Sequence, residues 1–229
     1  MAAFTYTFVR QQSKLSQLLG DPNTSTDDQF PLADRKAALN MAEVQFAKDG
    51  RLLKNYVTGT VASGQLDVPS DWVETHVLVI SDIVITNDKE IALQDWQRYY
   101  ADAEEAAYHY YWEFSGTRRI KFIGSTVNGK TYQLWYFAKP TTELDLDADV
   151  STLPLEYREA PVYLAAAELM EQIGKTQLSD RYRNKYAQYV LKAQLEGEKH
   201  FVNKEMPRPD LGEPVVPTQV DRQGQGYPY

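Results

Sequence analysis

The stretch Val127-Asn128-Gly129-Lys130-Thr131-Tyr132-Gln133-Leu134-Trp135-Tyr136-Phe137 decides the reading of this chain. Asn-Gly is the strongest short-range turn signal, because both residues tolerate the positive φ that a tight hairpin needs. The run behind it is dense in aromatic and β-prone residues, so it reads as a strand. Working backwards, Tyr108 to Phe114 and Arg118 to Ile123 are also strand-like and are separated by Ser115-Gly116-Thr117. The three runs together predict a meander, curled over a core of Trp112, Phe122, Leu134 and Tyr136. Further back, Leu52 to Val61 is rich in β-branched and aromatic residues, and His76 to Thr86 holds two short β-prone runs around Ser81-Asp82. Gln94 to Tyr100 reads as a helical turn set between strands.

On either side of this β region the period changes to helical. Arg10 to Leu19 is amphipathic and closes at the breakers Gly20-Asp21-Pro22-Asn23. A second helix opens at Phe30-Pro31, with the proline suited to a first turn. It places Leu32, Leu39, Ala42 and Phe46 on one stripe and ends at Asp49-Gly50, the glycine supplying a left-handed cap. After the acidic connection Thr141 to Asp149, Pro154 to Ile173 reads as a helix carrying Tyr157, Leu164, Ala165, Leu169 and Ile173, with Gly174 as its stop. A last helix starts near Ser179-Asp180 and shows one face of Leu178, Tyr182, Tyr186, Tyr189 and Leu195, its other side charged or polar. From Glu205 onward five of the 11 prolines (Pro207, Pro209, Pro214, Pro217, Pro228) alternate with Gly212, Gly224 and Gly226. Such a segment suits neither helix nor central strand and reads as an extended arm. The expected class is α+β: a helical bundle built from N- and C-terminal helices, with an inserted small antiparallel β domain. One unit covers residues 1–200 and a C-terminal arm covers 201–229.

Composition bounds the function. The 229 residues are 43% hydrophobic and 24% charged, enough for a sizeable core. The net charge of −8 argues against a general nucleic-acid binder, since neutralising phosphates takes a basic surface. With no cysteine there is no disulfide framework, thiolate metal site or cysteine nucleophile. The longest uncharged apolar stretch, Ala160 to Ala167, is too short to span a bilayer, and MAAFTYTFVR shows no export signal. Tyrosine, at 16 residues, stands out; its apolar ring and water-tolerant hydroxyl suit extended contact surfaces.

Catalytic and metal motifs are not recognised. His76, His109 and His200 lie far apart, none at metal-ligand spacing, and each reads as a structural or surface histidine. There is no Gly-x-Ser-x-Gly elbow and no Gly-rich phosphate loop. Asp145-x-Asp147-x-Asp149 with Glu156 imitates a calcium loop, but Val150 stands where the loop needs glycine and Pro154 interrupts it. The run reads as a solvated acidic connection. Tyr108, Tyr110, Tyr111 and Trp112 beside Arg118, Arg119 and Lys121 could mix stacking with cations for single strands, yet alternate aromatics on a hairpin are better read as core. The Asn23-Thr24-Ser25 sequon carries little weight without an export signal.

The second half has a further pattern. Gly129-Lys130-Thr131-Tyr132-Gln133-Leu134-Trp135-Tyr136-Phe137-Ala138-Lys139-Pro140 leads through an acidic spacer to Leu153-Pro154-Leu155-Glu156-Tyr157-Arg158-Glu159-Ala160-Pro161-Val162-Tyr163. An alanine-rich helix and a long tyrosine-bearing helix follow. This succession resembles the head-to-tail adaptor (connector, head-completion) proteins of tailed bacteriophages, where a strand ending in aromatic-x-x-Pro precedes a Leu-Pro-x-x-Tyr helix start. Leu66-Asp67-Val68-Pro69-Ser70-Asp71-Trp72 is similar to the Leu-Pro-Asp-aromatic entry into the β portion, with Asp67-Val68 interposed. The likeness covers residues 10–200 as a pattern of elements and leaves out the arm.

What the resemblance implies is a structural, non-enzymatic virion protein of the neck, assembled in the host bacterial cytoplasm. It implies a homo-oligomeric ring, usually twelvefold, with portal protein above, tail or nozzle proteins below and genomic DNA passing through without specific binding. No cofactor, metal or membrane is expected. Ring contacts are head-to-tail, so two different patches must be complementary. In the arm, Met206, Leu211, Val215, Val216, Tyr227 and Tyr229 are the anchors for a neighbour or the portal. Glu143, Asp145, Asp147 and Asp149 are candidates to line a channel that repels duplex and so favours sliding. The competing expectations are a tail-associated β module for receptor binding and a hydrolase using scattered carboxylates and His109.

Overall fold

A computed structural model describes residues 6–20, 29–85, 89–90, 108–114, 117–123 and 125–203. The expected turn at Gln94–Tyr100, the sequon, Ser115-Gly116 and the proline-rich arm lie outside these residues.

The chain is α+β, as expected. Among the described residues, helices α1 (Phe8–Leu19) and α2 (Leu32–Gly50) precede seven strands, and α3 (Ala160–Gln172) and α4 (Thr176–Asn203) follow them. In α1, Phe8, Gln11, Gln12, Leu15 and Leu19 form the buried stripe, and Gly20 closes the helix in the left-handed region at φ 67°. In α2 the stripe keeps Leu39, Ala42 and Phe46, but Leu32 is exposed at its first turn. Gly50 is not the cap: it is still helical, and Arg51 takes the left-handed turn at φ 50°. The glycine answers a packing demand instead. A Cβ at position 50 would lie 3.2 Å from the Ala193 Cβ, so glycine lets α4 approach the end of α2.

The sheet departs from the expected meander. Strands β1 (Lys54–Thr60), β7 (Thr131–Ala138), β3 (Trp72–Ile80) and β4 (Ile83–Ile85) form a four-stranded antiparallel sheet in that order. Strands β2 (Gln65–Asp67), β6 (Arg119–Phe122) and β5 (Tyr110–Glu113) form a second. Thus β5 and β6 are neighbours, but β7 leaves them to lie between β1 and β3. The connection explains why. A 3-10 turn at Ser125–Val127 drives Val127 fully into the core, and the Gly129 amide and Lys130 carbonyl then bond Val61, which aligns β7 on β1. Ser81 and Asp82 both have positive φ, as a two-residue primed hairpin requires. Both sheets share one core: Leu66, Ile120 and Phe122 from one, Leu78, Leu134 and Tyr136 from the other, with Trp112 half-buried against them.

The helices surround α3, whose Ala165, Ala166 and Ala167 are fully buried and let its neighbours come close. Gly174 ends α3 at φ 75°. The last helix starts at Thr176, ahead of the expected Ser179-Asp180, because Ser179 belongs to its buried face. That face runs Ser179, Tyr182, Tyr186, Tyr189 and Ala193; Leu178 and Leu195 point out.

Candidate functional site

Three parts of the surface bear on function: the acidic connection, the long helix α4 and the aromatic end of the β domain.

The acidic connection is built, not slack. Leu144 alone turns inward, 7% exposed, into the core of α1, α2 and α3. Asn40 holds it from both sides: its Oδ1 accepts the Leu144 amide at 2.8 Å and its Nδ2 donates to the Leu144 carbonyl at 2.9 Å. The Asp149 carboxylate accepts the amides of Asp145 and Leu146, each at 2.8 Å, closing a turn. Those two backbone bonds, with Lys36 nearby, hold its carboxyl below the usual carboxylate range. The carbonyls of Asp149 and Asp147 accept the first amides of α1, from Phe8 at 2.8 Å and Val9 at 3.2 Å. They take the place of a side-chain cap, which Thr7 does not provide. Lys36 donates to the Asp145 carboxylate at 2.9 Å and to its carbonyl at 2.6 Å. Of the four expected channel acids, Glu143, Asp145 and Asp147 are exposed and Asp149 is half-buried on its own turn. No group of three metal-ligating side chains occurs among the described residues.

α4 is strapped down by its tyrosines. Tyr182 donates to the Leu18 carbonyl at 2.8 Å, Tyr186 to Asp49 at 2.6 Å and Tyr189 to Glu159 at 3.1 Å, so one helix ties α1, α2 and the entry to α3. Tyr157 donates in return to Glu196. Burial, then the carboxylate partner, raises the hydroxyl pKa of Tyr157 and Tyr186, and burial with the Glu159 charge pushes Tyr189 up to about 12. Opposite this stripe α4 exposes Asp180, Asn184, Ala187 and Leu191, and the flank between carries Arg181 and Lys185.

In the β domain the aromatic and basic patch is structural. Tyr110 is buried, Trp112 lies 4.8 Å from Trp72 between ring centroids, and Arg118 covers Trp72. Arg119 pairs with Asp67 and Lys121 with Glu113, each at 2.7 Å, so carboxylates answer both cations. His76 packs on Phe137, and burial with the charge of Lys54 lowers its pKa. His109 lies at the entry to β5, where its carbonyl accepts the Ile123 amide at 3.0 Å. The side chain of His200, like the six arm anchors Met206, Leu211, Val215, Val216, Tyr227 and Tyr229, lies outside the described residues.

The described residues thus form a helical bundle clasped by its own acidic connection, with a small two-sheet domain inserted between helix pairs. The model of the SU10 adaptor protein family matches residues 11–203, and the chain belongs to that family. No significant match to a curated protein was found. The family is a phage head-to-tail adaptor family: its role is structural, joining head to tail in the virion neck, and it is not a known enzyme family. Membership implies contact with portal and tail proteins. Among the described residues no helix is long and apolar enough to cross a membrane.

Proposed function

We propose that copies of this chain close into a ring, twelvefold, that sits below the portal and continues the channel for the genome. The observation that carries this is the family match across residues 11–203, which takes in every described helix and strand except the first residues of α1. The net charge of −8 supports passage over grip, since a channel wall of that sign repels duplex. The proline-rich arm, with Met206, Leu211, Val215, Val216, Tyr227 and Tyr229 as anchors, reaches a neighbour or the portal, where its high local concentration strengthens a modest contact. Two placements are open to the exposed acids Glu143, Asp145 and Asp147: the channel wall and the contact between neighbours. The charge of α4 favours the second.

The test is the mass of the full chain by light scattering and native mass spectrometry, alone and with the portal protein of its phage. A monomer or small oligomer that becomes a ring on the portal is expected. A chain that never exceeds its free mass on the portal, or that binds DNA tightly with a steep salt dependence, refutes the reading.

A further inference from the structure

Charge is segregated on this protein far more than its net value suggests. Helix α4 carries five bases and three acids, with Arg181, Arg183 and Lys185 clustered in its first half, on a chain of net −8. Residues 141–149 carry four acids and no base. Exposed apolar side chains stand beside each cluster: Leu178 and Leu195 on α4, Leu146 and Val150 on the connection.

On α4 the arrangement is periodic. Leu178, Arg181, Lys185, Gln188, Lys192 and Leu195 follow one another at spacings of three and four, and all are exposed. That is the seam a helix presents to a second surface, here with leucines at the ends and cations between. It is distinct from the buried stripe of Ser179, Tyr182, Tyr186, Tyr189 and Ala193. From Leu178 to Leu195 it runs for about 25 Å at the helical rise.

The complement is on the same chain. Leu146 and Val150 are exposed on the acidic connection, and beside it a groove of ≈ 600 Å³ is lined by Met41, Val44, Pro140 and Glu143. The Met41 side chain stands exposed there. The connection is fastened to the start of α1 and to Lys36 and Asn40 of α2, whereas α4 is fastened to α3, to Leu18 at the end of α1 and to Asp49 at the end of α2. Their fastenings lie at different residues of the bundle, and the contact at issue is one between copies. Different patches on two copies make a head-to-tail contact, which closes a ring when the rotation allows.

We propose that the outward seam of α4 seats on the acidic connection and Met41 groove of a neighbouring copy, and that this is the head-to-tail contact of the ring. The inference rests on the ring reading above and names its interface. It places Glu143 and Asp147 between subunits, leaving the channel wall to other residues.

Two charge-reversed variants test it. Arg181→Glu with Lys185→Glu makes the seam acidic. Glu143→Lys with Asp147→Lys makes the connection basic, leaving the Asp149 turn and the Lys36–Asp145 pair intact. Each variant alone should assemble only at concentrations roughly a hundredfold above wild type, because like charges face each other at every contact. Mixed one to one, they should assemble again, as an alternating ring with an even number of subunits, and wild-type assembly should weaken as salt rises. Matching thermal melts of the three proteins show that the fold is intact. If a reversed variant fails to fold, Arg181→Gln with Lys185→Gln and Glu143→Gln with Asp147→Gln replace it, with loss of salt sensitivity as the readout. Single variants that form rings like wild type overturn this interface and leave the ring reading standing. So does a mixture that fails to assemble, or an α4 variant that still self-assembles but no longer joins the portal. Wild-type protein that forms no ring with or without portal overturns both.

Discussion

Replacing Leu144 by alanine is the sharpest test of the acidic connection as a clasp. Leu144 is 7% exposed and packs with Phe8, Leu39 and Ala42, while Leu146, two residues on, is 66% exposed. Removing about three buried carbons costs roughly 2 kcal/mol in transfer free energy. The cavity adds to this, but a connection can collapse where a helix cannot, so the total should fall at about 2–3 kcal/mol, in the lower part of the leucine-to-alanine range. The same change at Leu146 should cost under about 0.5 kcal/mol. A local effect should follow as well. The first amides of α1 rest on the Asp147 and Asp149 carbonyls, so loosening the connection should speed hydrogen exchange at Phe8 and Val9 more than at the middle of α2. Asn40→Ala removes both bonds to Leu144 and acts on the same segment, so the double variant should cost less than the sum of the single ones. Urea unfolding of wild type and the four variants, with exchange read by mass spectrometry, measures all of this. Equal costs at positions 144 and 146, or unchanged exchange in α1, would refute the clasp.

Alkali should unfold the protein cooperatively. The hydroxyls of Tyr136, Tyr157, Tyr186 and Tyr189 all have raised folded pKa values, so the stability they lend is full below pH 10 and drains as pH climbs, through about 12 for Tyr136 and Tyr189 and further up for the other two. Absorbance near 295 nm should rise together with loss of helix, whereas a smooth titration of every tyrosine with the fold intact contradicts this. At the acid end the sign reverses: Asp149 has a depressed folded pKa, so its contribution holds above about pH 4 and fades as pH falls through the folded value. Asp149→Asn should therefore destabilise at neutral pH and match wild type in strong acid; a gap that does not vary with pH speaks against the turn described. Ser81→Asn with Asp82→Gly should stabilise the β3–β4 hairpin by about 0.5–1 kcal/mol, because both residues already sit at positive φ. A melting temperature that rises by about 1–3 °C confirms it, and a fall rejects the primed turn.

The helices were legible because their signals are local. The stripe through Leu39, Ala42 and Phe46, and the stops at Gly20 and Gly174, depend on neighbours in sequence. Ser81-Asp82 was legible for the same reason. The partner of β7 was not, since choosing β1 over β6 depends on a buried Val127 and on bonds to Val61, some seventy residues away. Gly50 misled because a glycine at a helix end signals a cap, whereas this one is selected by contact with Ala193. The acidic run hid its structural role for a deeper reason: its work is done by backbone carbonyls, which leave no trace in residue identity. Only the apolar Leu144 among acids hinted at an anchor, and Leu146 hinted equally.

That ambiguity bears on how charge should be read in an adaptor. A net charge of −8 suggests a surface that repels DNA everywhere, yet the sum conceals a cluster of bases in the first half of α4 and a run of acids in the connection. Repulsion of duplex requires only that the wall facing it be acidic on balance. Closure of a ring demands more: each copy must attract the next, which an evenly acidic surface opposes. On the ring proposed above, a chain that does both separates its charges, setting the acidic connection of one copy against the basic cluster of α4 on the next. The two demands then respond oppositely to salt, which weakens subunit attraction while easing DNA repulsion. Conditions that loosen the ring should therefore be those in which DNA association is first detected, and a titration following both signals on one sample distinguishes segregated from uniform charge.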